Sequence, residues 1–475
     1  MRRATARLDS SLGEAGLSHP PLLMQSNGGV GSVDQAAAQP VNILLSGPVG
    51  GVVGSRFVAE QIHEANVATT DMGGTSFDVG LVVDGRPLLQ PLTVIDGHPV
   101  SVPSVGVQTI GAGGGSIARV AEGMLTVGPA SAGAVPGPAC YGAGGSEPTV
   151  TDADVVLGWV NPDTFLGGRL RLDRERAVEA IERQIARPLG MSTEDAAEGI
   201  KRIIDAKMSD LIRQATIHRG FDPREFVLVA YGGAGPVHAH AYGAALGVKK
   251  IVVPVTASVH SAYGILASDL VVTREQSESR FTPPGSSGAS QFVSADEINA
   301  ILSQLERDAR AVLEGQGYSP AGVEVLRYVD MRFRFQIHEL TVEIPEFPLE
   351  ARHLDDLLER FIENYEARFG EGSAFTAAGV EMVTWRVVAT GEILTPTLQH
   401  RAAAANGAVR PLRKQQVYTG GRWTEAAAYD ERAITGGASS ILGPAILELP
   451  DTNIVVGADQ RAAVDDKHNL IIETV

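Results

Sequence analysis

Two acids enclose a run of glycines and hydroxyl residues in the segment DMGGTSFD, residues 71–78. Asp71 ends an apolar run, and a carboxylate at a strand end can hold a hydrated Mg²⁺ or orient a water molecule. The donors between the acids form a nest for phosphate oxygens and come from Gly73, Gly74, Thr75 and Ser76. An acid repels a phosphate unless a cation intervenes, so the segment predicts a nucleotide with a metal ion. A plain glycine hairpin with a solvated acid is the alternative.

A second glycine cluster follows strand-forming residues in VLVAYGGAGPVHAHAYG, residues 227–243. Pro236 suits the first turn of a helix, so the pattern predicts strand, glycine turn and helix. Such a turn places a nucleotide's phosphates or base against the positive end of the helix. The following run, KKIVVP, predicts another strand and hence a β-α-β unit in a parallel sheet.

Neither glycine cluster fits the familiar nucleotide fingerprints. His238 occupies the last position of G-x-G-x-x-G in GGAGPVH, and Ser116 does so in GAGGGS. The pattern G-x-x-x-x-G-K-[ST] does not occur in the sequence. Rossmann and Walker sites are therefore disfavoured. The remaining type of ATP site is that of actin, sugar kinases and Hsp70, in which D-x-G-G-T hairpins bind the phosphates and a later strand–GG–helix turn binds adenosine.

Two histidines, His238 and His240, lie two residues apart on the predicted helix. Their side chains then point about 200° apart, so we do not expect them to bind one metal ion together. His238 lies in the first turn, where the positive end of the helix favours a neutral imidazole. We predict that His238 faces a cleft as a general base or substrate donor, with a structural role as the alternative.

Composition restricts the class of protein. A chain of 475 residues suggests two to four domains, and a net charge of −17 argues against a general nucleic-acid or anionic-membrane surface. There is one cysteine, Cys140, with no base beside it in sequence, so a small buried thiol is predicted rather than a nucleophile. No apolar run approaches the roughly 20 residues of a membrane span, and the first residues lack the apolar core of a signal peptide. The expected location is cytoplasmic.

The elements that position these loops can be predicted from periodicity. Strands are expected at 66–70 and 77–83, on either side of the first loop. Helices are expected at 47–63, 194–219, 295–315 and 349–369. Linkers are predicted at 281–290 (FTPPGSSGAS) and 402–408 (AAAANGA), followed by strands and turns over 415–475.

Several stretches together resemble the hydantoinase A and oxoprolinase family, which includes the matching subunits of acetone- and acetophenone-type carboxylases. The resemblance covers nearly the whole chain, and the stretches occur in the family's order. They are MQSNGG (24–29), LSGPVGGVVG (45–54), DMGGTSFDVGLV (71–82), TIGAGGGSIA (109–118), VGPASAGAVPGPACYGAGGSEPTVTDAD (127–154), HRGFDPREFVLVAYGGAGPVHA (218–239) and GPAILE (443–448).

This resemblance implies an α/β fold: an actin-like ATPase (ribonuclease H-like) lobe with an inserted glycine-rich β region and a C-terminal α+β/β domain. The implied domains are 1–280 (ATPase lobe), 291–401 (α+β segment) and 409–475 (C-terminal β domain). The implied function is that of a subunit of an ATP-dependent cyclic amide hydrolase that phosphorylates the substrate carbonyl oxygen before ring opening. The alternatives are an ATP-dependent ketone carboxylase subunit and a non-catalytic assembly subunit.

The resemblance also implies roles for individual residues. The cofactors are ATP and Mg²⁺, and the partner is a hydantoinase B-type subunit acting with it on a small cyclic amide or ketone, without nucleic acid or membrane. Catalysis is assigned to Asp71, Asp78 and His238, with Asp71 as the metal ligand. Nucleotide binding is assigned to Gly73, Gly74, Thr75, Ser76, Gly232, Gly233, Ala234 and Gly235. For the loop GAGGGS, substrate contact by Gly113, Gly114, Gly115 and Ser116 is preferred over a tight interdomain turn.

Two departures from the family pattern are visible. Members begin with a further lobe carrying its own D-x-G-G-T-F-T-D loop, so we expect that lobe to be a separate polypeptide or lost by truncation. The isolated chain would then bind ATP weakly, because half of the phosphate contacts are missing. The second departure is DTNIVVGADQ (451–460), which we expect to lie in a β domain remote from the chemistry.

Overall fold

The computed structural model describes residues 2–17, 21–90, 93–95, 97–100, 102–319, 322–393, 410–435 and 440–475. Helices and strands alternate in a mixed α/β pattern. The helices are α1 Arg2–Glu14, α2 Val33–Ala38, α3 Ser46–Gln61, α4 Val150–Val156, α5 Arg174–Ile181, α6 Arg187–Leu189, α7 Thr193–Ile217, α8 Gly235–Leu246, α9 His260–Leu266, α10 Ala295–Gly315, α11 Ala351–Phe369 and α12 Arg432–Thr435.

Eight of the described strands lie between residues 86 and 131, in the part of the chain where glycine turns and short strand-forming runs predict a glycine-rich β region from residue 88 to about 150. The strands are β1 Leu22–Met24, β2 Val30–Ser32, β3 Val67–Met72, β4 Phe77–Val83, β5 Arg86–Pro87, β6 Leu89–Gln90, β7 Thr93–Ile95, β8 His98–Val100, β9 Ser104–Val105, β10 Val107–Ile110, β11 Ser116–Ala121, β12 Met124–Ser131, β13 Val227–Tyr231, β14 Lys250–Val253, β15 Leu270–Phe281, β16 Val323–Phe333, β17 Leu340–Glu343, β18 Val380–Gly391, β19 Arg413–Thr419, β20 Arg422–Asp430, β21 Ile441–Leu442, β22 Ala445–Glu448, β23 Asn453–Val456, β24 Gln460–Val464 and β25 Leu470–Thr474.

The larger compact unit comprises residues 47–89, 105–267 and 396–475. Its central sheet has the strand order β10-β4-β3-β13-β14-β25-β24-β21. Strands β3, β13 and β14 are parallel, whereas β4 returns antiparallel to β3 as a hairpin. Every residue of β13 is buried, as expected for a central strand covered on both faces. The predicted β-α-β unit over β13, α8 and β14 is confirmed.

Helices α7, α8 and α4 pack together in this unit. The hydroxyl of Ser192 accepts the N–H of Asp195 and caps α7. The buried side of α7 carries an apolar stripe at helical spacing, formed by Ile200, Ile204, Met208, Leu211 and Ile212. Lys201 and Asp205 are buried beside this stripe, an unusual position for charged side chains that calls for partners.

The smaller compact unit comprises residues 1–46, 90–104 and 268–395. It contains a six-stranded sheet in the order β1-β2-β15-β18-β16-β17. Helix α10 packs on β15 and β18, and α11 packs on β17. The buried residues of α10 repeat every three or four positions from Ile298 to Leu313, which explains why periodicity predicted its bounds correctly.

Predicted and observed elements differ mainly at the C-terminal end. Residues 415–475 include a short helix, α12, so the prediction of strands and turns throughout is wrong there. Strands β19, β20, β22 and β23 form one sheet, while β24 and β25 join the central sheet through β14. The predicted linker 402–408 lies outside the described residues. The predicted domain boundaries stay predictions.

Glycines allow α3 and α9 to approach closely. A Cβ on Gly264 of α9 would overlap the carbonyl oxygen of Gly50 on α3. The imidazole of His260 on α9 bonds the Ser55 hydroxyl of α3 through its Nε2, at 3.1 Å. The next residue, Ser261, donates from its Oγ to Asp71 Oδ2 at 3.5 Å, so this helix contact also positions a partner for an acid of the predicted site.

Replacing Gly264 with alanine is expected to destabilise the larger unit, because the new Cβ would also lie 2.7 Å from the Gly54 nitrogen. Overpacking of this kind costs about 1–3 kcal/mol and sometimes more. Thermal unfolding followed by circular dichroism should therefore show a lower midpoint for Gly264→Ala. Gly47→Ala is the control, since an added Cβ on this α3 residue meets no atom within 4 Å. Equal midpoints for the two variants would contradict the proposed close contact.

Candidate functional site

Parallel pairing brings the two predicted loops to one edge of the central sheet. Strand β3 pairs with β13 in a register that sets Asp71 opposite Tyr231, the last residue of β13. The glycine hairpin after Asp71 and the glycine turn after Tyr231 therefore leave the sheet side by side. Ligands of open α/β sheets bind at this carboxyl edge of the parallel strands.

Backbone hydrogen bonds join the three glycine loops. The N–H of Gly114 donates to the Gly73 carbonyl at 3.0 Å, and the N–H of Gly115 donates to the Gly74 carbonyl at 2.7 Å. The N–H of Ala234 donates to the Met72 carbonyl at 3.0 Å. The hairpin is thus held from both sides, and its position does not depend on its own short turn alone.

The glycines of these loops fall into two classes. A Cβ on Gly113 would lie 2.5 Å from the Thr75 nitrogen, and one on Gly115 would lie 2.9 Å from the Gly74 carbonyl oxygen. At Gly73, Gly74 and Gly233, in contrast, an added Cβ meets no atom within 4 Å. Glycine is required at Gly113 and Gly115 because the loops pack closely there. At the other three positions the backbone borders open space.

The open space belongs to a cavity of about 350 Å³ in the larger unit. Its wall is mainly apolar, with a few polar groups, as is common for small-molecule sites. The residues that line it are Gly73, Gly74, Gly114, Gly115, Gly133, Pro138, Tyr141, Thr151, Asp154, Val160, Phe165, Leu166, Leu170, Gly233, Ala234, Val237, Leu449, Asp451, Thr452 and Asn453.

The two acids of the hairpin face each other across the strand pair, Asp71 opposite Asp78. Burial raises the pKa of Asp71 to about 6, with the Asp78 carboxylate as the second cause. Burial also raises the pKa of Asp78, although hydroxyl donors from Thr109 and Ser76 offset part of that effect. No ion pair in the described part of the chain involves either acid. The pair is therefore a site of uncompensated negative charge.

The predicted substrate loop supports the hairpin with its own backbone. All four of its N–H groups are used in the structure: Gly113 donates to Ser116 Oγ, Gly114 to Gly73, Gly115 to Gly74 and Ser116 to Gly113. Only Gly114 and Gly115 of this loop line the cavity. Contact of this loop with substrate stays a prediction.

Other predicted site residues lie near the cavity without lining it. Gly232 has a φ of +85° and adjoins the Asp71 side chain so closely that a Cβ would overlap the carboxylate. A residue with a side chain is therefore excluded at this position. The remaining predicted residues outside the lining are Asp71, Thr75, Ser76, Asp78, Gly113, Ser116, Gly235 and His238. Their assigned roles stay predictions.

His238 is fully buried behind the cavity wall. Its Nδ1 lies 2.6 Å from Asp205 Oδ1, and its Nε2 lies 3.3 Å from Asp154 Oδ2. Burial and Lys201 lower the pKa of His238, but Asp154 and Asp205 outweigh them, so the pKa lies above its usual value. The helix end is therefore not the dominant influence on a ring held between two carboxylates, and the role predicted for His238 stays a prediction.

His240 and Cys140 have different surroundings. The Nδ1 of His240 lies 3.1 Å from the Val237 carbonyl oxygen, its ring packs against Trp159, and burial lowers its pKa to about 3. Cys140 is a fully buried thiol whose pKa is raised by burial, which confirms the prediction made for it. No cluster of three or more His, Cys, Asp or Glu suited to a metal ion occurs among the described residues.

Sequence reasoning missed two polar parts of the cavity wall. Asp154 lies within the family-like stretch TVTDAD, but its neighbours in the sequence gave no reason to assign it a role. The segment 451–453 lines the cavity, and the Thr452 hydroxyl donates to the Gly233 carbonyl at 3.1 Å. The expectation that this segment lies remote from the site is therefore wrong, because the chain returns between β22 and β23 to the glycine turn.

The chain is similar in sequence and in fold to several known proteins. The chain is 34% identical over 470 residues to the caprolactamase subunit alpha of Pseudomonas jessenii, covering 98% of this chain and 66% of that protein. It therefore spans about two thirds of that relative's length. A crystal structure of the ATP-dependent caprolactamase from Pseudomonas jessenii matches with a TM-score of 0.88 and 32% identity, covering 99% of this chain and 68% of that one. A nucleotide-free acetone carboxylase structure matches with a TM-score of 0.78 and 29% identity, covering 100% and 67%.

These likenesses confirm the predicted fold class, an α/β lobe of the actin-like ATPase type. None of the helices that the structure describes combines the length and apolar character of a membrane span. The hydantoinase/oxoprolinase sequence model matches residues 1–274, and the model of the hydantoinase/oxoprolinase C-terminal domain matches residues 286–473. The chain therefore belongs to the hydantoinase/oxoprolinase family.

Proposed function

We propose that this chain is the nucleotide-binding subunit of an ATP-dependent enzyme that opens a cyclic amide. The observation that carries the proposal is the open backbone of Gly73, Gly74 and Gly233 around one cavity, beside the uncompensated acids Asp71 and Asp78. A phosphate chain needs bare donors, and the acids need a cation. A nucleotide bound with a metal ion meets both requirements at once.

In this proposal the hairpin holds the phosphates. Gly73 and Gly74 line the cavity, while the hydroxyl residues Thr75 and Ser76 follow at the turn. Gly73 uses its N–H in the hairpin itself, donating to the Ser76 carbonyl at 3.2 Å. Gly74 and Thr75 therefore are the proposed backbone donors, and the bonds from Gly114 and Gly115 keep them in place.

The acid pair fits a hard divalent cation. Burial raises the pKa of both carboxylates, the Asp78 charge adds to the effect at Asp71, and a nearby Mg²⁺ ion would oppose it. Asp71 is the proposed ligand, directly or through water, and Asp78 supports it while Thr109 fixes the orientation of the Asp78 carboxylate. Mg²⁺ would neutralise charge on the phosphates, since no lysine occurs in these loops.

The apolar part of the cavity suits the nucleoside. Val160, Phe165, Leu166 and Leu170 form an apolar wall beside the glycine turn at Gly233. The turn is fixed by Thr452 and by the bond from Ala234 to Met72, so it presents a defined surface to a flat base. The predicted adenosine role of the 232–235 turn is thereby supported by its place in the wall.

ATP supplies a phosphoryl group, and its transfer to an amide carbonyl oxygen gives a carbon that water attacks more readily. A cyclic amide is proposed as substrate because the likeness to the caprolactamase structure exceeds that to acetone carboxylase. The related protein is one subunit of its enzyme, so we propose that a second subunit of the hydantoinase B type completes hydrolysis. The direct test is ATP hydrolysis by the assembled enzyme, with caprolactam, hydantoin or 5-oxoproline compared with acetone plus bicarbonate. Stimulation of ATP hydrolysis by the ketone alone would overturn the proposal that the substrate is a cyclic amide.

Asp71→Asn in the assembled enzyme is expected to lower substrate-stimulated ATP hydrolysis on the order of 10²-fold, because the amide cannot hold the metal as a carboxylate does. A coupled assay of phosphate release measures the effect. Asp84→Asn is the matched control, since Asp84 is an exposed acid in the turn that follows β4, at the end opposite Asp78. Parental turnover in Asp71→Asn would show that Asp71 is only a hairpin residue.

Gly233→Ala is expected to weaken ATP binding about tenfold or more while leaving thermal stability unchanged, because the new methyl enters open cavity space. Gly113→Ala should instead lower the unfolding midpoint, since its Cβ would collide with the Thr75 backbone. Titration calorimetry with Mg-ATP and thermal unfolding measure the two effects. Undiminished ATP affinity in Gly233→Ala would place the nucleotide elsewhere.

A further inference from the structure

Four ionisable side chains form a buried network that extends to the cavity. Lys201 Nζ lies 2.9 Å from Asp205 Oδ2, and Asp205 Oδ1 lies 2.6 Å from His238 Nδ1. His238 Nε2 then lies 3.3 Å from Asp154 Oδ2. All four residues are at most 8% exposed. Buried charges of this kind persist only when they compensate each other.

The charges along this network balance in pairs. Lys201 and His238 hold the pKa of Asp205 at about 2 against the effect of burial, so Asp205 is a carboxylate. Asp205 and Asp154 together raise the pKa of His238, which favours the imidazolium. Two basic and two acidic side chains therefore alternate along the network. Asp154 is the last of these four side chains and the only one of the four that lines the cavity.

One oxygen of Asp154 has no partner. Its Oδ1 is buried and accepts no hydrogen bond, although the side chain borders the cavity and is only 4% exposed. An unsatisfied buried acceptor of this kind is unfavourable, and more so when it carries charge. The position is well fixed: one turn earlier on α4, the Thr151 hydroxyl donates to the Gly114 carbonyl at 2.9 Å.

We propose that Asp154 is a specificity-determining residue that accepts a hydrogen bond from an N–H or O–H group of the bound nucleoside. This inference rests on the proposed ATP site. Thr151 bonds Gly114, which is bonded to Gly73, and Asp154 lies one helical turn after Thr151 on α4. The N–H of Val160, a residue of the apolar wall assigned to the nucleoside, donates to the Asp154 carbonyl at 3.2 Å. The donor is either the amino group of adenine or a ribose hydroxyl, since both are neutral donors that a carboxylate accepts.

A metal ion is a poor alternative at Asp154. The imidazolium of His238 lies 3.3 Å from its other oxygen and would repel a cation. A neutral donor brings no such repulsion and satisfies the free lone pair. His238 thus acts as a positioning residue through its charge: its Nε2 lies near Asp154 without a hydrogen bond between them, and the ring does not line the cavity.

The test combines protein variants with nucleotides that each lack one donor. ATP, purine riboside triphosphate without the amino group, 2′-deoxy-ATP and 3′-deoxy-ATP are titrated into the assembled enzyme containing the parental chain, Asp154→Ala or Asp154→Asn. For one of these analogues the parental enzyme should bind on the order of tenfold more weakly than ATP. In Asp154→Ala that difference should vanish, because the acceptor is gone, and the analogue identifies the donor.

Two further variants complete the experiment. His238→Asn should reduce the same preference for ATP, a ratio that a merely structural role would not change. Asp163→Asn, in an exposed ion pair with Arg171, should leave it unchanged. If Asp154→Ala keeps the parental preference between ATP and the analogue, the inference is overturned. Asp154→Asn, whose amide oxygen can still accept a hydrogen bond, separates the loss of the acceptor from the loss of charge. If the parental enzyme binds none of them, the proposed function itself fails, and the inference with it.

Discussion

The pairing of β3 with β13 is the interaction on which the rest of the site depends. Two segments more than 150 residues apart in sequence become neighbours because their registers set Asp71 opposite Tyr231. Two of the glycine loops are then attached to the hairpin by backbone hydrogen bonds, from Gly114 and Gly115 on one side and Ala234 on the other. Backbone bonds do not depend on side-chain identity, so this framework tolerates substitution except where space forbids a Cβ.

The acids of the site have two different electrostatic environments. At the hairpin, Asp71 and Asp78 are neighbours without a protein cation, and burial raises the pKa of both. Behind the cavity, Asp154 and Asp205 are compensated within the protein by Lys201 and His238. A charge that the fold leaves uncompensated is available to a metal ion, whereas a compensated charge with a free lone pair suits a neutral donor. The same residue type therefore supports two different kinds of recognition.

Glycine-rich motifs identified loops that line the cavity but could not distinguish the glycines from one another. In sequence, Gly73, Gly113 and Gly233 look equivalent; in the structure, Gly113 is needed for contact between loops, and the other two border open space. The histidine at the start of α8 shows the same limit. Its helix position was predicted correctly, but its partners come from α4 and α7, which the local pattern does not contain.

Local sequence patterns were sufficient for the family and for most of the longer elements. Strand alternation, helix periodicity and turn residues are local properties, so β4, α7 and α10 could be predicted closely, as could the hairpin and the glycine turn. The family stretches determined the fold class for the same reason, since they record which local segments occur and in what order. Only the tertiary structure decided that residues 451–453 return to the cavity, that His238 lies behind its wall, and that Asp154 faces it. Those outcomes depend on burial and on charges brought together from distant segments, and neither quantity is defined until the chain has packed.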